Sequence, residues 1–586
     1  MPRQPRLRAA LALAIMAAAL STGAPASASP TATSPAGNAL ALTPPMGFNN
    51  WARYGCAKDV PHAGDSGPSE SLILAQARAM VTSGLAASGY DTVTIDDCWT
   101  TRSRDASGRL VPDPVTFPNG IEHVGDRLHA MTFTDDRGRT RSMKLGIYTD
   151  IGTSTCGGYP GSWGHVQGDV DQFAAWGVDY VKVDGCHMPP AGSGAAGYVK
   201  AYADFAAAMR ANAARRDMVF SASAPAYFFI GETDLSDWYT VIDGTSGSGQ
   251  LWRNGYDVIM RNMAGSRWDK PTNGAGIMAQ YAYNWPLSRY AGPGSWNDPD
   301  FLITGEGLTD DESRTQMALW AMMASPLILS VDVAALSPAS LATLKNRDVI
   351  AVDQDPLGRQ AGMVSQNGTI DVLARPLAGG DRAVALLNRA AAPVTAATTL
   401  AAAGFPAGCT ARVKDLWTGA TTTGTGPISA RVPAHGTAIF RVTPGAGCAG
   451  ARPTGQITGL GGRCLDDRAL GTAEGNPVIL YRCNAGANQR WTLPGDGTVR
   501  TLGQCLDARH QTGDPRHPGY RAALAPCDGR PTTRWTYQRN GFLRNDALGR
   551  CLDVHRSRTA DLTPVVVDTC ANAHPSQANQ VWALPV

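Results

Sequence analysis

Four short patterns hold most of the residues that could do chemistry in this chain. They are Phe48-Asn49-Asn50-Trp51, Ile95-Asp96-Asp97-Cys98-Trp99, Val181-Lys182-Val183-Asp184-Gly185-Cys186 and Trp252-Arg253-Asn254-Gly255-Tyr256-Asp257. They bring carboxylates, a lysine, an arginine and tryptophans, with no metal or cofactor motif. Carboxylates, Lys and Arg hydrogen-bond hydroxyl groups, and an indole covers the apolar face of a pyranose. Two carboxylates can act as nucleophile and acid/base in breaking a glycosidic bond. The inventory suits sugar chemistry. A lone Asp before Gly would read as a turn residue; the joint pattern argues for a site.

These groups need strand ends to hold them. The stretch 179–186 is apolar at alternate positions and ends in Asp184, Gly185 and Cys186, as a short buried strand would. In a barrel of parallel strands the C-terminal strand ends line the active-site mouth. Candidate strands at 92–95, 144–148, 180–183, 219–223 and 327–331 alternate with helical patterns such as 69–88, 170–176 and 197–214. This alternation predicts a (β/α)8 TIM barrel over 41–358. A doubly wound sheet is the alternative, but no Gly-rich phosphate turn follows the first strand. Over 359–445 helical periodicity stops and strand signals recur at 370–373, 383–387, 411–415 and 436–442, which predicts an antiparallel β-sandwich. Residues 446–455 read as a linker.

The tail, 456–586, repeats. Cys464-Leu465-Asp466, Cys505-Leu506-Asp507 and Cys551-Leu552-Asp553 each precede a second cysteine (Cys483, Cys527, Cys570) and a closing tryptophan (Trp491, Trp535, Trp582). Three units are too few for a propeller.

The chain of 586 residues has room for several domains of about 100–200 residues each. A net charge of +2 and no basic run past the N-terminus give no sign of a nucleic-acid partner. Residues 1–28 read as a signal peptide: a basic start, an apolar run and small residues ending at Ala28. Residues 29–40 read as a linker. The apolar run falls short of the about 20 residues that span a bilayer, so the expectation is export, with no membrane partner. Twelve cysteines in an exported chain point to disulfides, and ten scattered histidines lack ligand spacing. No metal and no cofactor are expected, and the oligomeric state is left open.

The barrel resembles glycoside hydrolase family 27, the α-galactosidase and α-N-acetylgalactosaminidase family. Further matches are Leu145-Gly146-Ile147-Tyr148-Thr149-Asp150, Thr155-Cys156-Gly157-Gly158-Tyr159-Pro160, Trp296-Asn297-Asp298-Pro299-Asp300 and Asp353-Gln354-Asp355-Pro356-Leu357-Gly358. The resemblance implies that Asp184 is the nucleophile and Asp257 the acid/base. It implies that Asp96 and Asp97 hold the hydroxyls on carbons 4 and 6, and that Lys182 and Arg253 hold others. Tyr148 would line the pocket, with Trp51 and Trp99 as walls. Cys56–Cys98 and Cys156–Cys186 are the implied disulfides; Cys409 and Cys448 are left over. The implied mechanism is double displacement with net retention, which needs the two carboxyl groups about 5–5.5 Å apart. Asp257 is then expected to titrate above a free Asp beside a negative Asp184.

One departure concerns carbon 2. Many α-galactosidases of the family carry Cys-Glu-Trp after the fifth strand; here the stretch is Ala222-Ser223-Ala224-Pro225-Ala226-Tyr227. Aligned on Pro225 and Tyr227, Ser223 takes the Glu place and Ala226 that of a larger neighbour. That pair marks the α-N-acetylgalactosaminidase branch, where small side chains make room for an N-acetyl group; loop drift within an α-galactosidase is the alternative. A second departure is Phe301 after Asp-Pro-Asp, where Met is usual.

The tail resembles the ricin-type β-trefoil, family 13 of the carbohydrate-binding modules. The resemblance implies the disulfides Cys464–Cys483, Cys505–Cys527 and Cys551–Cys570, and one sugar site per lobe. The first lobe keeps the whole set: Asp466, Tyr481, Asn488, Gln489. The third keeps Asp553, Asn579 and Gln580 but has Asp568 at the aromatic place. The second has Ala525 there and Thr532-Thr533 for Asn-Gln. The first lobe is expected to bind, the third weakly, the second not at all. The tail would act from behind its linker as a tethered module that raises local concentration on a polymer.

The expectation is an exported retaining exo-glycosidase that removes terminal α-linked galactosyl-type residues from oligosaccharide, polysaccharide or glycoconjugate. A β-L-arabinopyranosidase of the same family is the rival enzyme. A lectin-like protein with an inactive barrel is the rival of another class.

Overall fold

The computed structural model describes residues 40–56, 67–228, 235–258, 266–269, 275–445, 448, 450–511, 520–571 and 578–586. The expected signal peptide and the linker at 29–39 lie outside the described residues. Eight parallel strands form the first sheet: β1 (Met46–Asn49), β2 (Thr92–Ile95), β3 (Lys144–Asp150), β4 (Tyr180–Asp184), β5 (Val219–Ala222), β6 (Leu251–Arg253), β7 (Trp296–Asp298) and β8 (Leu327–Leu329). β8 pairs with β1, and the rest follow in chain order to β7. A parallel bridge between Leu302 and Leu329 carries the chain after β7 back to β8. The result is a TIM-barrel-like sheet.

Residues such as Val93, Ile95, Leu145, Ile147, Val181 and Val183 are buried on these strands. Strands covered on both faces read as short β-branched and apolar runs rather than strict alternation. Helices follow the strands, among them α1 (Glu70–Thr82), α2 (Gly120–His129), α3 (Val166–Ala175), α4 (Gly194–Asn212), α5 (Ser236–Thr245), α6 (Ile277–Asn284) and α7 (Asp310–Met322). The start of α7 is fixed by a capping box: the Thr309 hydroxyl accepts from the Glu312 amide, and the Glu312 carboxylate accepts from the Thr309 amide. No helix among the described residues is long and apolar enough to cross a membrane.

The second layer is antiparallel. Strands β9 (Gly362–Gln366), β10 (Ile370–Pro376), β11 (Arg382–Asn388), β16 (Thr437–Pro444), β13 (Ala411–Asp415) and β14 (Thr421–Gly424) form one sheet in that order; β12 (Val394–Thr398) pairs with β15 (Ile428–Val432). Arg375, fully buried, donates to the carbonyls of Ala321 and Asp353 and so ties this sandwich to the barrel. The Tyr281 hydroxyl donates to Asp371 across the same joint. Cys409 and Cys448, left unassigned by the sequence, are bonded to each other.

The tail folds as a trefoil with the disulfides Cys464–Cys483, Cys505–Cys527 and Cys551–Cys570. Its closing tryptophans each donate to the carbonyl of the Leu in a Cys-Leu-Asp motif: Trp491 to Leu465, Trp535 to Leu506, Trp582 to Leu552. The picture of a module on a free tether needs correcting. Cys448 is disulfide-bonded, and Thr454–Gly455 is a strand paired with Trp491–Thr492. The Gln456 amide donates to the Met363 carbonyl of β9. Phe542 and Val581 of the trefoil are buried in the same apolar cluster as the barrel. The tail docks because these side chains find apolar partners there; a tether would leave them in water.

Deleting 454–586 is accordingly expected to lower the thermal midpoint of what remains by several degrees. Burying a large apolar side chain is worth about 1.5–3 kcal/mol. Each kcal/mol is about 2–4 °C in a domain of this size class. Differential scanning fluorimetry of the two chains checks this, and equal midpoints would show that docking adds no stability.

Candidate active site

Strand register builds the site. Asp184 ends β4 and sits opposite Asp150, which ends β3. The Asp184 carboxylate accepts from the Tyr148 hydroxyl at 3.1 Å on one oxygen. Its other oxygen accepts from the Tyr227 hydroxyl and from the Gly185 amide. Burial pushes the Asp184 carboxyl above the usual range, and Asp257 and Asp96 push the same way. Lys182 and the Tyr227 hydroxyl oppose them by favouring the charged form.

Lys182 donates to Asp96 at 2.8 Å, and Asn49 donates to the same oxygen at 2.6 Å. Its ammonium lies 5.2 Å from the Tyr148 ring centre and 5.3 Å from that of Phe301. Burial disfavours the Lys182 cation, but Asp96 and Asp184 outweigh it and raise its pKa. Asp97 accepts from the amides of Cys98 and Gly157, and burial pushes it up to about 6. Cys98 has a φ of 73°, a backbone state uncommon outside glycine. The Cys56–Cys98 disulfide holds this corner.

Arg253 ends β6. It reaches Asp257 at 3.0 Å and Asp300 at 2.9 Å. Asp257 is 56% exposed, whereas Arg253 and Asp300 are buried. The Asp257 charge acts on both Lys182 and Asp184, raising the pKa of each. The strand ends thus carry a buried carboxylate fed by two phenols and a cation, and an accessible carboxylate held by an arginine. Such a pair can attack a carbon and donate a proton to its leaving group.

Ser223 follows β5, its amide donating to the Val183 carbonyl of β4. It is 4% exposed, and its hydroxyl is buried without a hydrogen-bond partner among the described residues. Ala226 and Tyr227 lie in the turn that follows, half-buried. Trp51 is half-buried and available as a wall. Trp99 needs correcting: it is 3% exposed, its indole N–H donates to the Tyr148 carbonyl, and its ring packs edge-on against Phe173 and Trp176. It supports the site from behind because α3 offers it an aromatic partner.

Four residues without a role in the sequence reading belong here. Asn49 and Asn50 orient Asp96, the Asn50 side-chain oxygen accepting from its amide at 2.8 Å. Asp300, at a φ of 78°, clamps Arg253 and accepts from the Val258 amide. Asp150, fully buried, accepts from the amides of Gly152 and Cys186 and so fixes the turn after Asp184. A Cβ on Gly152 would lie 1.9 Å from the Cys186 carbonyl oxygen, so only glycine fits there. The disulfide Cys156–Cys186 closes the same turn, and the Tyr227 hydroxyl rests 3.2 Å from the Cys186 sulfur. Those cysteines being bonded to each other, Asp150 with them is no cation cradle. A carboxylate at or just past a strand end, inside a matched motif, was the available signal for Asp150 and Asp300.

Residues 43–355 match the profile of the alpha galactosidase A family. The chain belongs to that family, glycoside hydrolase family 27. Residues 367–442 match its C-terminal β-sandwich domain, and 453–582 the ricin-type β-trefoil lectin domain. A probable alpha-galactosidase A of Aspergillus clavatus is 38% identical over 517 residues, covering 88% of this chain and 90% of that protein. An alpha-N-acetylgalactosaminidase of Gallus gallus is 39% identical over 387 residues, covering 65% of this chain and 88% of its own. The crystal structure of alpha-galactosidase I from Mortierella vinacea superposes with a TM-score of 0.60 at 29% identity, covering 69% of this chain and 98% of that one. This family member is therefore a glycoside hydrolase, and carbohydrate is its substrate class.

The hydrolase's three trefoil lobes differ. In the first, Asn488 and Gln489 donate to the two oxygens of Asp466 at 2.9 and 2.7 Å, with the half-buried Tyr481 nearby on the paired strand. In the third, Asn579 and Gln580 both donate to Asp553, while Asp568 is exposed. In the second, Ala525 and Thr533 are buried and Thr532 half-buried. Asp507 there faces Arg530 at 3.9 Å, and that arginine also meets Glu474 and Asp528.

Proposed function

We propose that this chain is an exported, retaining exo-α-galactosidase whose carbon-2 subsite also accepts an N-acetyl group. Asp184 attacks the anomeric carbon while Asp257 gives its proton to the leaving oxygen, so the glycosidic C–O bond breaks as the bond to Asp184 forms. Asp257 then takes a proton from water, the resulting nucleophile attacks the same carbon, and the Asp184 carboxylate leaves. Asp96, Asp97, Lys182 and Arg253 hold hydroxyls, and Trp51 covers the ring face. The observation that carries the reading is the Asp184 carboxylate braced by two phenols and Lys182, with an accessible Asp257 whose charge acts on it. Export is supported by the six disulfides. Sugar binding in the trefoil is assigned to the first lobe, weakly to the third, and not to the second, where a cation sits against Asp507.

Proton NMR of the first-formed sugar tests the mechanism. The α-anomer is expected; initial release of the β-anomer would mean inversion and other roles for the pair.

The pH profile tests the attacking group. Asp184 must be ionised to attack, and the Tyr227 hydroxyl favours that form. Tyr227→Phe removes the donor, so the Asp184 pKa rises and the acid limb of kcat/KM moves to higher pH. A limb that stays put or moves down would show that this limb reports another group.

A further inference from the structure

Two cavities adjoin on the seam between barrel and trefoil, away from the strand ends. One, of about 510 Å³, is lined by residues of both, including Arg289, Arg359 and Tyr537. The other, of about 380 Å³, lies on the trefoil side and includes Arg544. Gln538 and Arg539 line both, so the two cavities are neighbours along one groove of the seam. Four arginines and, among the described residues, no Asp or Glu side chain line it. The molecule as a whole is close to neutral, at +2; Asp243 acts on Arg289 and Arg539, which leaves Arg359 and Arg544 as the groove's uncompensated charges among the described residues.

The arginines have different duties. Arg289 donates to the Arg539 carbonyl at 3.0 Å and lies 4.5 Å from the Tyr290 ring centre. Arg539 donates to the Ser246 hydroxyl at 3.1 Å and thereby latches trefoil to barrel. Neither Arg359 nor Arg544 meets a carboxylate among the described residues. Guanidinium groups left without counter-charge along a groove match a ligand that carries carboxylates or sulfates, because the planar fork binds either oxyanion through two hydrogen bonds. The Gln538 amide and the Tyr537 ring beside them suit hydroxyls and a pyranose face.

From this geometry we infer that the barrel–trefoil seam is a binding groove for an anionic glycan chain, distinct from the catalytic pocket and bordering the third lobe, where the Ala571 amide donates to Gln580. The groove would hold a charged polysaccharide alongside the enzyme while the pocket works on terminal residues. The inference needs the groove to bind, not the pocket to hydrolyse, so a binding measurement separates its failure from that of the proposed activity.

The test is surface plasmon resonance of the full chain and of the double variant Arg359→Gln with Arg544→Gln. The immobilised probes are a sulfated galactan, a galacturonan and a neutral galactan, at low and high salt. Arg359 is exposed and Arg544 half-buried, and neither holds a carboxylate among the described residues, so the double variant should keep its thermal midpoint. The expected result is tighter binding of an anionic probe than of the neutral one, weakened about tenfold or more by the double substitution, with a marked salt dependence. Preference between sulfated galactan and galacturonan names the anion. Equal affinity for neutral and anionic probes, or no loss in the double variant, would overturn the inference. So would equally tight binding of a single-stranded DNA of similar charge, since the groove would then be a general cationic patch.

Discussion

Asp184→Asn is expected to lower kcat on an aryl α-galactoside by at least about 10³-fold, as loss of a nucleophile typically does. The amide is isosteric with the carboxylate. Its oxygen still accepts from Tyr227 and Gly185, and Cys156–Cys186 still closes the turn. Folding should therefore be intact, with a thermal midpoint near that of the parent, and galactose should still bind. What is lost is the electron pair that forms the bond to the anomeric carbon. The change also removes a charge that the buried Lys182 senses, but that ammonium keeps its 2.8 Å contact with Asp96 and is not stranded. Stopped assays with a good leaving group separate the outcomes. Activity within tenfold of the parent would sink the assignment, and a collapsed midpoint with no activity would mean that the charge serves stability.

What could be read in advance, and what could not, follows from how each residue is held. Asp184 was legible because its strand alternates and ends in Asp-Gly-Cys; the burial of Val181 and Val183 is what that pattern encodes. β6 and β7 were not read as strands, because each is three residues long and buried, too short to show a period. Asp150 and Asp300 lay inside matched motifs, yet their work depends on register and on φ, which composition does not carry. Trp99 shows the same limit: an aromatic beside two carboxylates looks like a wall, and only the position of α3 decides that it faces Phe173 and Trp176. The trefoil's repeats were plain, but its docking was not. Phe542 and Val581 look like ordinary trefoil apolar residues until the barrel is beside them. Parity left Cys409 and Cys448 over without pairing them; the fold brings their Cα atoms to 5.2 Å.

Ser223→Glu with Ala226→Leu is expected to reverse the preference of the pocket at carbon 2. In the parent, Ser223 presents a buried hydroxyl without a partner among the described residues, and Ala226, three residues on in the turn that follows, carries only a methyl group. A buried polar atom left unpaired costs about 1–3 kcal/mol, which a ligand hydrogen bond can offset. The carbonyl or N–H of an N-acetyl group reaching that hydroxyl would satisfy it. A glutamate there would instead accept the proton of a carbon-2 hydroxyl, and the leucine would fill the acetyl space. A site built to hydrogen-bond a substrate hydroxyl discriminates by about 10⁴-fold against a ligand lacking it. Even a tenth of that free energy is measurable as a ratio of kcat/KM values. The expected result is that the parent accepts both α-galactoside and α-N-acetylgalactosaminide, and that the double variant keeps the first and loses the second. The new carboxylate lies near Asp184 in a pocket already rich in negative charge, so the Asp184 pKa should rise and the acid limb move to higher pH. That limb is a second readout, because a carboxylate outside the subsite would leave it unmoved. If the parent ignores the N-acetyl substrate and the double variant only loses activity, the turn after β5 does not line carbon 2. A β-L-arabinopyranoside included in the same panel then decides between the two remaining readings, since that sugar lacks carbon 6 and relies on the carbon-2 contact all the more.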